Sequence, residues 1–108
     1  MIEVKYGLLP KDNFCRYFDF LINRTFKILP LKEENSETLI AYLESFQREL
    51  IGSKDLFSSL INEPKFISVL SSIQFLIDEE YSQAVCKKEV FKCIHILEEI
   101  RNKYTIGV

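Results

Sequence analysis

The sequence predicts an all-α fold: an up-and-down bundle of four main helices plus one short helix, with an extended N-terminal arm. Three observations carry this. Apolar residues recur at spacings of three and four along most of the chain, the period of a helix with one buried face. Helix-punctuating residues, above all Pro30, Gly52 and Pro64, fall between those runs. Alternation of apolar and polar residues, the period of a strand, is confined to the first few positions. The 108 residues suit a single domain spanning 1–108.

The arm, residues 1–10, holds Ile2, Val4 and Tyr6 in alternation with Glu3 and Lys5. No second alternating run offers itself as a partner, so an unpaired extended segment is expected. A first helix is expected over 12–29. Asp12 or Asn13 supplies a side-chain oxygen to cap it, and Pro30 stops it by disfavouring helical backbone at the residue before. Its apolar stripe of Phe14, Phe18, Leu21, Thr25 and Leu29 is widened by Tyr17, Phe20, Ile22, Phe26 and Ile28. That is broader than the roughly 100° a surface helix needs. The helix is therefore expected to lie centrally or to touch neighbours on two sides.

A second helix is expected over 36–51, capped by Asn35 or Ser36 and closed by Gly52 as a C-cap glycine. Leu39, Leu43, Phe46 and Leu50 form its seam at spacings of 4, 3 and 4. Ser53 is expected to cap a short helix over 54–62. Pro64 suits the first turn of a helix over 64–77, whose face is Phe66, Val69, Leu70, Ile73, Leu76 and Ile77. The last helix is expected over 82–104, with the most regular seam of all: Cys86, Val90, Cys93, Leu97, Ile100 and Tyr104. Short connections make successive helices antiparallel neighbours.

Composition bounds the chemistry. The net charge of −2 gives no overall basic excess for nucleic acid. Three cysteines without tight spacing argue against a disulfide framework and fit a reducing compartment. The N-terminal segment has no basic region followed by a long apolar run, and no stretch approaches a membrane span. A cytoplasmic protein is expected. Size and character are those of the small accessory or inhibitor proteins of phages and mobile elements.

No constellation for catalysis stands in the sequence, and no enzyme is expected. The single histidine, His95, lies four residues before Glu99, the spacing of a solvated pair on one helix face. Cys86 and Cys93 are separated by two helical turns, roughly 10 Å along the axis, and cannot share an ion with His95 on the far side. They read as small core residues. With three glycines there is no phosphate-cradling loop. No cofactor and no metal are expected. Lys87, Lys88, Lys92, Arg101 and Lys103 are interleaved with Glu89, Glu98 and Glu99, which reads as a mixed-charge solvated face.

What stands out is the aromatic content: nine Phe and five Tyr, with no Trp. Most of these rings belong in a core, and any surplus lines a contact surface. The first helix gathers Arg16, Tyr17, Phe20, Arg24 and Phe26, residue types favoured at protein interfaces. These five are the candidate partner contacts. The expected function is a non-catalytic protein–protein interaction module, self-associating or docking on a larger protein, without a small-molecule substrate. The alternative is a nucleic-acid-binding regulator using the helix pair around Pro64, where Lys65 is the only base on the following helix.

Overall fold

The computed structural model describes residues 2–4, 7–57, 60 and 63–105. Two short strands, β1 (Ile2–Val4) and β2 (Gly7–Leu9), precede five helices: α1 (Lys11–Phe26), α2 (Ile28–Glu33), α3 (Leu39–Leu56), α4 (Pro64–Asp78) and α5 (Gln83–Thr105). Among the described residues the fold is all-α, with four main helices and a short one, α2, which lies where the end of the first helix and a linker were expected and not over 54–62.

The arm departs from expectation. β1 has a partner: it pairs antiparallel with β2, Ile2 opposite Leu9 and Val4 opposite Gly7. Residues 7–9 were invisible as a strand because Gly-Leu-Leu does not alternate. Gly7 carries a φ of 147°, a conformation that side-chain-bearing residues rarely adopt. Leu9 packs on the core, whereas Leu8 is 63% exposed.

Helix ends differ for identifiable reasons. Neither Asp12 nor Asn13 caps α1. The cap position is Pro10, whose carbonyl accepts from the N–H groups of Asn13 and Phe14. Pro30 does not stop a helix. The chain breaks at Lys27 and restarts as α2, with Pro30 in the first turn, where N–H groups have no intrahelical acceptor to miss. Asn35 is not an N-cap but closes α2. It adopts a positive φ of 50°, its N–H bonds to the Lys32 carbonyl, and the Ser36 N–H bonds to the Leu31 carbonyl. That is a Schellman ending. Thr38, not Asn35 or Ser36, stands at the cap position of α3.

Gly52 does not terminate α3, which runs another turn to Leu56. Ser53 therefore lies inside α3, buried, with its hydroxyl donating to the Glu49 carbonyl at 2.9 Å. Of the expected short helix 54–62, the first three residues continue α3, and 58, 59, 61 and 62 lie outside the described residues. Pro64 occupies the first turn of α4 as expected. At α5 the Ser82 hydroxyl accepts the Val85 N–H at 3.2 Å.

Side-chain links fix the packing order. Tyr17 meets Glu49 and Ser53, and Arg24 meets Tyr42, so α1 and α3 run antiparallel. Gln47 bonds Gln74 across α3 and α4. Lys65 pairs with Glu99 and Glu63 with Lys103, placing α4 antiparallel to α5. Arg101 pairs with Asp19 at 2.5 Å and Phe26 meets Phe91, which closes the ring from α5 back to α1. The result is an up-and-down bundle in the order α1, α3, α4, α5. Helix α2 spans one end, its Ile28 buried.

One core fills the ring. The α3 seam and the described part of the α5 seam are buried throughout. Phe14 stacks on Phe18 at 4.6 Å and meets Phe57 edge-on at 5.1 Å. Each fully buried ring of this size contributes about 1.5–3 kcal/mol. Cys86 and Cys93 are both fully buried, as small core residues should be. The side chain of Tyr104 lies outside the described residues.

Candidate interaction face

The nine phenylalanines divide cleanly. Phe14, Phe18, Phe46, Phe57 and Phe66 are fully buried, Phe75 is half-buried, and Phe20, Phe26 and Phe91 are 46%, 43% and 48% exposed. The three exposed rings lie on α1 and α5, the pair of helices that pack most extensively on each other.

Each residue advances about 100° around a helix, which explains the width of the α1 stripe. Phe14, Phe18, Leu21, Ile22 and Thr25 point into the core. Tyr17 and Arg24 lie on the flank toward α3, and Asp19 and Phe26 on the flank toward α5. Arg16, Phe20, Asn23 and Lys27 occupy the outer face between them, all exposed. The helix is wide because it touches neighbours on two sides, as its sequence implied.

The five candidate contacts therefore fall in different places. Arg16 and Phe20 face outward. Tyr17 is half-buried: its hydroxyl donates to Glu49 Oε1 at 2.8 Å and lies within hydrogen-bond reach of Ser53 Oγ. Burial pushes that hydroxyl up to about 12. Glu49 pushes in the same direction, and Ser53 and Arg24 oppose it. Arg24 lays its guanidinium over the rings of Tyr42 and Phe46, 4.9 and 5.2 Å from their centres. Its carbonyl accepts the Tyr42 hydroxyl at 2.6 Å. Tyr17 and Arg24 thus fasten α1 to α3. Phe26 meets Phe91 edge to face, with ring centres 6.1 Å apart at 80°.

Phe91 is the residue that sequence reasoning passed over. Its signal was present, since it stands outside the α5 seam yet is large and apolar. Only the fold brings it beside Phe26. On the other side of Lys27 lies an apolar depression of about 530 Å³, lined by Pro30, Leu31, Ala41 and Tyr42 as well as Lys27 and Thr38.

The charges of α5 sort by neighbour. Glu99 takes Lys65 from α4, and His95 Nε2 lies 2.7 Å from Glu99 Oε1. The Lys65 hydrogen bond is the main cause that holds the Glu99 carboxyl below its ordinary value. Glu89 pairs with Lys92 at 3.1 Å. Buried in the interior, Cys93 has its thiol pushed up to about 11 by loss of solvent, with the Ser72 hydroxyl pulling the other way. Among the described residues that hydroxyl has no partner of ordinary hydrogen-bond geometry. The Cys86 thiol is raised by burial too. Among the described residues no three His, Cys, Asp or Glu side chains converge to hold a metal ion, and no helix is long and apolar enough to cross a membrane.

Compared with known families, curated proteins and solved structures, the chain matches none.

Proposed function

We propose that this chain is a non-catalytic protein-binding module that docks on a larger protein or on itself through the outer face of α1. The observation that supports this most directly is the exposure of Phe20, Phe26 and Phe91, each near one half, on neighbouring helices. A Phe side chain left half exposed forgoes half of the roughly 1.5–3 kcal/mol that full burial is worth. Exposed rings with basic side chains nearby have the composition of an interface centre; here Phe20 stands near Arg16 on the outer face of α1, and Phe26 meets Phe91 on the flank toward α5.

The test uses a Phe20→Glu, Phe26→Glu double variant beside the parent. Both rings are about half exposed, with Phe20 packed on Tyr17 and Phe26 on Phe91, so the circular dichroism spectrum and melting of the variant are first matched to those of the parent. Sedimentation velocity and affinity capture from the native host are then compared. The parent is expected to self-associate or retain a defined protein that the variant loses. A parent that stays monomeric and retains nothing the variant loses counts against the reading.

A further inference from the structure

We propose that the Phe26–Phe91 pair, with Lys27, Lys87 and Lys88 beside it, is a docking patch for an acidic protein surface. This rests on the reading of the chain as a protein-binding module and names the partner's chemistry. In sequence the bases of α5 are mixed with acids, but folding separates them. Glu99 is engaged by Lys65 and His95, and Glu89 by Lys92. Arg101 is engaged by Asp19, and Lys103 by Glu63. Each of these arrangements sets a base against an acid. Lys27, Lys87 and Lys88 are exposed and make no ion pair among the described residues.

Their positions concentrate this charge. Lys87 lies one turn before Phe91, on the same outer face of α5, with Lys88 on its flank. The antiparallel packing brings the end of α1 beside the first turns of α5, and Lys27, about 100° further round α1 than Phe26 and toward α3, bounds the patch on its far side. A chain of net charge −2 thus presents a locally positive, aromatic-centred patch. Complementarity selects an acidic counterpart with an apolar centre. A second copy offering the same patch across a two-fold axis would bring like charges together, which disfavours self-pairing here. Nucleic acid needs a one-signed face along its backbone. Further along α5 the outer face carries the exposed Glu98 instead.

The test titrates the isotopically labelled chain with a short amphipathic peptide built of Glu and Leu, followed by amide shifts. Saturable changes are expected at Phe26, Lys27, Phe91 and their neighbours. A Lys27→Glu, Lys87→Glu, Lys88→Glu variant should bind about tenfold more weakly or worse, and the matching Lys→Arg variant should bind as the parent does. Added salt should weaken the parent's binding. The proposal is overturned if those amides do not move. It is equally overturned if a Lys-and-Leu peptide binds as tightly, or if a DNA duplex takes the patch in preference to the acidic peptide. Suppose the Phe20→Glu, Phe26→Glu variant loses a captured protein that the charge-reversed variant keeps. The acidic-partner inference then fails while the module reading stands. Peptide binding at the patch without any captured protein or self-association supports the charge preference and removes the module reading.

Discussion

At the scale of single residues, Tyr17 shows how one side chain can be both a plausible contact and a structural tie. Its hydroxyl bridges α1 to Glu49 and Ser53 of α3, and its acidity is pushed from 10.0 to about 12. Below pH 10 the hydroxyl is protonated in folded and unfolded chains alike, and its contribution is intact. Between about pH 10 and 12 the unfolded chain ionises first, so stability falls as pH rises. Replacing Tyr17 with Phe should cost about 1 kcal/mol at neutral pH, the value of a typical hydrogen bond. It should also flatten the alkaline decline. Urea denaturation of parent and variant at pH 8 and pH 11 checks both, and an equal decline in the two proteins would refute the assignment. The exposed rings obey a different logic. Phe20 and Phe26 could be nominated from sequence because α1 has more apolar positions than one face can bury. Phe91 could not be paired with Phe26, because nothing local says that residues 65 positions apart share a surface.

At the scale of elements, periodicity was a better guide than punctuation. The seams of α3, α4 and α5 were legible because an apolar residue every three or four positions has one physical meaning, a buried helix face. The helix ends were less legible because proline, glycine and asparagine each have two. Proline blocks the turn before it but suits a first turn, and Pro30 takes the second role. Glycine favours a left-handed ending only where φ turns positive. That happens at Gly7 and not at Gly52, which stays within α3. The left-handed ending falls to Asn35 instead. Two substitutions test these assignments by thermal or chemical denaturation. Gly52→Ala should stabilise the chain by about 0.5–1 kcal/mol, because a mid-helix glycine is costly and its new methyl meets nothing within 4 Å. Asn35→Ala should destabilise by about 1–2 kcal/mol, the cost of left-handed backbone for an ordinary residue, whereas Asn35→Gly should not. A loss of stability in Gly52→Ala would mean that α3 ends where the sequence first suggested.

At the scale of the molecule, a single core inside a ring of four helices predicts a single unfolding transition. The bundle measures 41 × 23 × 21 Å, and its buried residues form one continuous cluster. Far-ultraviolet and tyrosine near-ultraviolet signals should therefore melt together. Leu97→Ala, at a fully buried seam position, should lower stability by about 2–5 kcal/mol. That is a large share of the roughly 5–15 kcal/mol that holds a typical domain folded. Separate transitions for the two signals would show that the ring comes apart in pieces. The closing contact of the ring also sets an order of events during synthesis. Asp19 on α1 meets Arg101 on α5 across 82 residues of chain. Ribosomes add about 5–20 residues per second, so α1 waits on the order of 4–16 seconds for the helix that covers its flank. During that interval α3 can already cover one flank of α1, while the flank that carries Asp19 and Phe26 stays open until the last helix emerges.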